Sequence, residues 1–178
     1  MENIFANDKV PFDIKKIEAK DYYLWTNVNT LIVKENVESI EKGFLKNCFD
    51  LHVVEMDPKF LESIKKSEIN CIIVPNFVKI VDEKVFQGCE KLNRVVILGQ
   101  AELKGNPCKE FESIKKLECD PYVLLKAKNN VRDNIRSVTI LDGSIILDYE
   151  CLKYFKKLEY IKFPQSLKFI GEKCFLVV

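Results

Sequence analysis

The residues of this chain that could do chemistry are few and widely separated. There is one histidine, His52. A single imidazole cannot form a multi-histidine metal site, and no nucleophile is spaced to pair with it. The acidic residues are numerous but scattered through polar positions, which is typical of a solvated surface. We therefore predict a protein that is not an enzyme and that takes no cofactor or metal, with His52 as an exposed neighbour of a strand.

Cysteine is the other residue type with chemical potential. The chain has seven cysteines and no Cys-x-x-Cys pair, so the sequence offers no redox or zinc motif. The odd number and wide spacing favour reduced, partly buried thiols of an intracellular protein over the disulfides of a secreted one. We expect Cys48, Cys89 and Cys174 to fill small spaces in the core.

A short segment near the start of the chain is a candidate contact for a protein partner. Lys9-Val10-Pro11-Phe12 resembles the Lys/Arg-Val-x-Phe docking motif of regulators of type-1 protein phosphatase. In a segment that adds to a sheet edge, Val10 and Phe12 enter two apolar pockets while Lys9 meets an acidic rim. Pro11 departs from many versions of the motif because it lacks a backbone donor. In the alternative interpretation, Val10 and Phe12 pack onto the first repeat as part of a cap.

Seven apolar triplets form the framework that must position these residues. The two outer residues of each triplet are apolar, the middle residue varies, and the third residues fall 18 to 23 positions apart. A steady period of this length indicates stacked repeats. The triplets are Leu31-Ile32-Val33, Val54-Glu55-Met56, Ile72-Ile73-Val74, Val95-Val96-Ile97, Leu117-Glu118-Cys119, Val138-Thr139-Ile140 and Ile161-Lys162-Phe163.

The repeat text itself is specific enough to suggest a family. The clearest copy runs from Ile72 to Val95, and its proline and phenylalanine positions recur 89 residues later, between Ile161 and Phe175. From about residue 30 to 175 the pattern resembles the BspA-like, treponemal-type leucine-rich repeat family. The resemblance implies an α/β solenoid, a right-handed leucine-rich repeat superhelix of about seven repeats with a parallel sheet on its concave face. Such a fold implies protein binding rather than catalysis.

Alternation along each strand predicts which residues are buried. The outer residues of the triplets should form two stacked core rows, and Pro75 and Pro164 should end their strands. Short helices or turns should connect the strands. The predicted rows are Leu31, Val54, Ile72, Val95, Leu117, Val138 and Ile161, and Val33, Met56, Val74, Ile97, Cys119, Ile140 and Phe163.

The two ends of the chain carry different predictions. We assign residues 1–28 to an N-terminal capping and docking segment and residues 29–178 to the leucine-rich repeat solenoid. The last residues, Phe175-Leu176-Val177-Val178, offer no polar cap. An uncapped parallel edge invites pairing with another chain, so the C-terminal end is predicted either to mediate self-association or to continue into a longer array.

The concave face is the stronger candidate for binding. Exposed Ile32, Ile73 and Val96 would form an apolar patch, unless loops or the cap cover them. Tyr160 and Arg94 are of types enriched at binding hot spots. Together with Lys9, Val10 and Phe12, the predicted partner contacts are Val53, Glu55, Ile73, Arg94, Val96, Lys116, Glu118, Tyr160 and Lys162.

Charge limits the class of partner. With 28 basic and 27 acidic residues, the net charge of +1 creates no field that would attract nucleic acid or an anionic membrane. No signal peptide pattern or membrane-length apolar run is present, which predicts a cytoplasmic protein, with the nucleus as the alternative. Two functions compete: an intracellular scaffold that docks type-1 protein phosphatase, or a surface adhesin that binds host matrix. The Lys-, Asn- and Ile-rich composition is typical of a protozoan source.

Overall fold

The computed structural model describes residues 14–22, 28–64, 66–104, 114–126, 132 and 134–176. Its strands are short and alternate with turns, three 3-10 helices (Ala19–Tyr22, Pro58–Ser63 and Glu83–Phe86) and one α-helix, α1 (Pro121–Lys126). The strands in chain order are β1 (Lys16–Ile17), β2 (Thr30–Ile32), β3 (Ser39–Ile40), β4 (Val53–Glu55), β5 (Cys71–Val74), β6 (Ile80–Asp82), β7 (Arg94–Ile97), β8 (Glu102–Lys104), β9 (Lys116–Cys119), β10 (Ser137–Ile140), β11 (Ile146–Leu147), β12 (Tyr160–Lys162) and β13 (Phe169–Ile170).

Seven of these strands form one parallel sheet, which we call the main sheet. Its order is β12-β10-β9-β7-β5-β4-β2, so each strand lies beside the strand of the preceding coil. The register sets equivalent positions side by side, as in Leu31 against Val54 and Val54 against Ile72. The predicted sheet of seven parallel strands is confirmed. The superhelical hand and the concave curvature of the sheet stay predictions.

Each main-sheet strand begins one residue before its predicted triplet. The reason is a hydrogen-bonding pattern that repeats from coil to coil, in which one carbonyl accepts two successive N–H groups of the next coil. The carbonyl of Asn70, for example, accepts from Asn93 (3.0 Å) and from Arg94 (3.1 Å). These bonds satisfy the backbone N–H of the residue that precedes each apolar triplet. The hydrogen-bonded ladder of the sheet therefore includes that residue.

The predicted core rows are buried along most of the stack. Leu31, Val54, Ile72 and Val138 are fully buried. The exception is the last coil, where Ile161 is only partly buried and Phe163 is 37% exposed. The prediction for Phe163 was wrong, because its coil is the last of the described stack and no further described coil covers it.

The connecting segments complete the core with phenylalanine and cysteine. Phe44 and Phe155 are fully buried. Cys48, Cys89 and Cys174 are 2%, 6% and 2% exposed, which confirms their assignment as core-filling residues. Six cysteines in the described part of the chain are free thiols.

Aspartate and proline start the connecting helices. The carboxylate of Asp57 accepts a hydrogen bond from the N–H of Lys59 (3.1 Å), and Pro58 is the first residue of that 3-10 helix. The same arrangement recurs at α1, where Asp120 accepts from the N–H of Tyr122 (2.9 Å). An aspartate in this position satisfies a backbone donor that has no partner within the helix, and proline lacks a donor to satisfy. These pairs explain why the chain leaves the extended conformation after β4 and β9.

Three further two-stranded parallel sheets lie in the connections. They pair β1 with β3, β6 with β8, and β11 with β13. Helices stand beside them, because the 3-10 helix Pro58–Ser63 packs against β3 and α1 packs against β8. Ile17 of β1 is fully buried, so the segment assigned to the cap contributes to the core. The division of the chain at residues 28 and 29 stays a prediction.

The C-terminal coil exposes apolar side chains. Phe169 is 63% exposed and Ile170 50%, and both belong to β13, which pairs only with β11. Phe175 and Leu176 are also more than two-fifths exposed. Self-association through this end stays a prediction, and light scattering at increasing protein concentration is the measurement that checks it.

Glycine permits the closest backbone approach between coils. A Cβ atom added to Gly99 would lie 2.7 Å from the carbonyl oxygen of Asn76 and 2.9 Å from its Cα. A Cβ on Gly171 would lie 2.7 Å from the backbone nitrogen of Tyr149. Backbone atoms cannot rotate aside as the end of a flexible side chain can, so both positions require the absence of a side chain.

Replacing Gly99 with alanine should lower the free energy of unfolding by about 1 to 2 kcal/mol, because the added methyl forces two backbone segments apart. Chemical denaturation followed by circular dichroism measures the change. The control is Gln100→Ala at the exposed neighbouring position, which should change stability by less than about 0.5 kcal/mol. Equal stability of the two variants would contradict the tight approach of the coils.

Candidate functional site

One face of the main sheet points away from the core, and we call it the outer face. Side chains alternate along each strand, so the first and third residues of every main-sheet strand lie there. The register stacks them into two rows. The first row is Thr30, Val53, Cys71, Arg94, Lys116, Ser137 and Tyr160, and the second is Ile32, Glu55, Ile73, Val96, Glu118, Thr139 and Lys162. All nine predicted contacts from the repeats are therefore brought together on this face.

The outer face is less exposed near its middle than the sequence predicted. Val96 is 5% exposed and Cys71 is 3% exposed. Val96 lies between Ile73 and Glu118 of the neighbouring strands, both of which carry longer side chains. The prediction of Val96 as an exposed contact was wrong, while Ile73 keeps part of its surface.

An ion pair crosses the centre of the outer face. Arg94 Nε donates to Glu118 Oε1 at 2.6 Å, and Arg94 Nη2 donates to Glu118 Oε2 at 3.0 Å. The hydrogen bond to Glu118 raises the pKa of Arg94 above its usual value. Lys116 is directly opposite Arg94 in the register and carries the same charge, which favours the diagonal turn of Arg94 toward Glu118. The two predicted contacts therefore neutralise each other before any partner arrives.

The C-terminal half of the outer face is exposed and basic. Tyr160 is 58% exposed, and Lys116 and Lys162 are exposed as well. In the described part of the chain, neither Lys116 nor Lys162 forms an ion pair. An exposed aromatic ring on the same face as two lysines offers apolar area together with charge that attracts carboxylates.

The N-terminal half borders a cleft at the ends of its strands. The cleft measures about 380 Å³, and Glu55 lines it together with Lys34, Phe77 and Leu98. Lys34 Nζ and Glu55 Oε1 are 4.0 Å apart across it. Glu55 thus lies at the rim of a cleft with apolar and charged walls. Val53 is partly buried in the first row beside Cys71.

The predicted docking motif lies outside the described residues. Lys9, Val10 and Phe12 belong to residues 1–13. Their roles, as phosphatase contacts or as part of a cap, stay predictions.

A cysteine pair was missed by the sequence analysis. The sulfur atoms of Cys151 and Cys174 are 3.1 Å apart in the core. Their hydrogen bond lowers the pKa of Cys174, while the same bond together with burial raises the pKa of Cys151. The signal was present in the sequence, because the two cysteines are separated by the same 23 residues as the register partners Ser137 and Tyr160. Residues one repeat apart become neighbours in a stacked fold.

The groups considered for catalysis are not assembled into a site. His52 is only partly exposed, and its Nδ1 lies 3.1 Å from the carbonyl oxygen of Glu68, a contact that holds the ring against the next coil. His52 was predicted to be a solvent-exposed neighbour of a strand; its exposure is only partial, because that coil stacks beside it. Within the described residues, no three histidine, cysteine, aspartate or glutamate side chains cluster in a way that could hold a metal ion.

The stacked coils and the two-row face define a repeat protein built around one parallel sheet. A family model described as BspA type leucine rich repeat region matches residues 15–124 and 126–177 in six copies. The chain belongs to this family, as the repeat text suggested. The six matched copies compare with seven main-sheet strands and about seven predicted repeats. Comparison with curated proteins finds no similar sequence. No helix in the ranges that the structure describes combines the length and apolarity needed to cross a bilayer.

Proposed function

We propose that this protein is a non-enzymatic binding module that holds a protein partner on the outer face of the main sheet. The observation that carries the proposal is the exposed C-terminal half of that face, where Tyr160 stands beside Lys162 on β12 and in the same row as Lys116 on β9. The leucine-rich repeat fold supports it, because stacked repeats present a continuous surface of this kind. The partner surface that fits is an apolar centre surrounded by carboxylates.

The finer proposal concerns the identity of one partner. We propose that Lys9, Val10 and Phe12 dock the catalytic subunit of type-1 protein phosphatase, with the outer face making a second contact. The resemblance of the segment to the docking motif supports this, as does its place ahead of the repeats. Two linked contacts would strengthen binding beyond either alone. A cytoplasmic site of action belongs to the same proposal and is supported by the six free thiols.

A pull-down from cell lysate with three variants tests both levels of the proposal. Lys116→Glu/Tyr160→Ala alters the outer face, Val10→Ala/Phe12→Ala removes the docking side chains, and Lys168→Glu is a control at an exposed position off this face. A hot-spot tyrosine is worth about 2 kcal/mol or more, so the outer-face variant should lose its partner by about thirty-fold or more. Mass spectrometry identifies the bound proteins.

The outcomes separate the two levels. Loss of the same partner in the outer-face variant, with retention in Lys168→Glu, supports the binding face. Loss of a type-1 phosphatase catalytic subunit in Val10→Ala/Phe12→Ala supports the docking motif. A partner that binds all three variants equally contradicts the outer face. Binding of wild type and the docking variant alike, with no phosphatase present, leaves Val10 and Phe12 as part of the cap.

A further inference from the structure

A second surface lies on the flank of the stack, between α1 and β11. It is a cleft of about 420 Å³ lined by residues of both elements. The cleft exists because the coil that contains β9 forms α1 at the position where the coils on either side of it form β8 and β11. The helix packs against β8, and among the described residues β11 pairs on one side only, with β13.

The backbone of β11 offers hydrogen-bonding groups to this cleft. The carbonyls of Ile145 and Leu147 accept from Phe169 (3.2 Å) and Gly171 (2.6 Å), so these two residues face β13. Successive residues of a parallel strand direct their N–H and C=O groups to opposite sides. The N–H and C=O of Ile146 are therefore directed away from β13, toward the cleft. An extended segment placed there would find one donor and one acceptor in ladder geometry.

The side chains of the cleft supply exposed apolar area. Ile145 and Ile146 are 50% and 55% exposed on one wall. Tyr122 and Leu125 of α1 are 39% and 37% exposed on the other. Four large apolar side chains around one cleft form a patch that a partner can cover, whereas scattered apolar residues are ordinary.

The charge of the cleft selects the chemistry of the partner. Asp120 and Asp148 line it, and no cationic side chain of the described residues does. Each carboxylate is held by a backbone N–H, that of Tyr122 for Asp120 (2.9 Å) and that of Tyr149 for Asp148 (2.7 Å). Lys126 is at the rim, with its Nζ 5.6 Å from the ring centroid of Tyr122. Two fixed carboxylates beside apolar walls complement basic side chains that alternate with apolar ones.

We propose that this cleft binds an extended segment of a partner protein in which basic and apolar side chains alternate. The segment adds to the edge of β11 that faces away from β13, through Ile146, its apolar side chains contact Tyr122 and Leu125, and its basic side chains meet Asp120 and Asp148. This mode of recognition takes affinity from backbone bonds and specificity from alternate side chains. The cleft is separate from the outer face and does not depend on what binds there.

Amide chemical shifts of the full ¹⁵N-labelled chain test the proposal with defined peptides. The probe is the N-acetylated, C-amidated peptide Lys-Val-Lys-Val-Lys. We expect its titration to shift the amides of Ile146, Tyr122 and Leu125. The matched peptide Glu-Val-Glu-Val-Glu should leave these amides unchanged, because its charges repel the two aspartates.

Two further experiments test the contribution of the carboxylates and that of the backbone hydrogen bonds separately. The variant Asp120→Asn/Asp148→Asn should bind the basic peptide about ten-fold more weakly, at about three-fold for each exposed ion pair. Asparagine retains the acceptor that holds the start of α1, and Asp142→Asn is the control at an exposed position outside the cleft. A single N-methyl group moved along the peptide should weaken binding most at the one N–H that donates to the carbonyl of Ile146, a readout that involves no change to the protein.

The contrary results are equally definite. Shifts that map to the main-sheet strands would overturn the proposal, as would equal binding of the acidic and basic peptides. Insensitivity to every N-methyl position would exclude addition to β11. Absence of any localised shift at millimolar peptide would also reject the site.

Discussion

Replacing Arg132 with alanine should lower the free energy of unfolding by about 3 kcal/mol. The guanidinium is 6% exposed and joins two coils through backbone carbonyls. Its Nη2 donates to the carbonyl of Leu124 at 2.8 Å, in the last turn of α1, and its Nη1 donates to the carbonyl of Lys153. Carbonyls at the end of a helix have no partner within it, so the arginine completes α1 from outside.

The expected size follows from what alanine leaves behind. Two buried carbonyls would lose charge-assisted hydrogen bonds, each worth about 1.5 to 3 kcal/mol. The contact with the ring of Phe155, 5.4 Å from the guanidinium carbon to the ring centroid, would be lost as well. We expect a net loss of about 3 kcal/mol, which is less than the sum of these contributions. The wild-type protein already carries the cost of burying the charge of Arg132, and its Nε has no acceptor in the described part of the chain. The alanine variant no longer carries either cost.

Arg136→Ala is the matched control for Arg132→Ala. Arg136 is exposed and pairs with Glu159 at the surface, so its loss should change stability by less than about 0.5 kcal/mol. Arg132→Lys should fall between wild type and alanine, because one ammonium group cannot reproduce the span of the guanidinium. Urea denaturation gives the three values. An Arg132→Ala variant as stable as the Arg136→Ala control would show that the two carbonyls find other partners.

Raising the pH from 7.5 to 9.5 should destabilise the protein through three buried thiols. Cys71, Cys89 and Cys119 are 3%, 6% and 0% exposed. Burial raises the pKa of Cys89 to about 11, and burial is also the main cause of the raised pKa values of Cys71 and Cys119. A group whose pKa is raised on folding contributes its full stability below its unfolded pKa and loses it as the pH rises toward the folded value. The loss therefore begins near pH 8.5, the ordinary pKa of cysteine.

Cys89 and Cys119 should each contribute a loss of about 1 kcal/mol over this interval, and the raised pKa of Cys71 adds to that loss. The comparison that isolates one of them is Cys119→Ala against wild type. The variant is less stable at every pH because of its cavity, but its stability should fall by about 1 kcal/mol less between pH 7.5 and 9.5. Cys151 and Cys174, with their opposite shifts, contribute equally to both proteins. Parallel pH profiles for the two proteins would refute the assignment.

The main sheet was predictable because its cause is local and periodic. The apolar outer residues of each triplet report a strand with one buried face, and equal spacing places the strands in register. The same reasoning placed Val53, Lys116 and Tyr160 on one face. Resemblance to a family then supplied the solenoid that periodicity alone could only suggest.

Burial and ion pairing of individual side chains could not be predicted, because they depend on spatial neighbours that the sequence does not show. Val96 is buried and lies between Ile73 and Glu118, which belong to adjacent strands. Whether Arg94 pairs with Glu118 or remains free depends on the rotamer it adopts against Lys116. Phe163 fits the core row by type, but β12 is the last main-sheet strand among the described residues, so no further strand of that sheet covers it.

The structural role of Arg132 was not predicted, for a different reason. It lies in the segment between residues 99 and 137, where the repeat loses its phenylalanine and cysteine positions. Its acceptors, Leu124 and Lys153, are eight and 21 residues away and are backbone groups that any residue type carries. Composition cannot reveal a partner that is a carbonyl.

The coil-to-coil register also determines how the molecule would yield to a pulling force. Register partners along the main sheet are separated by 23, 18, 23, 22, 21 and 23 residues. Tension between the two ends would peel the stack one coil at a time, since each coil is bonded only to its neighbours. A detached coil of 23 residues releases a contour of about 8 nm at some 3.4 Å per residue. The 18-residue coil between β4 and β5 would release about 6 nm. A force trace would therefore record a sawtooth with one short tooth, at the position of that coil in the stack.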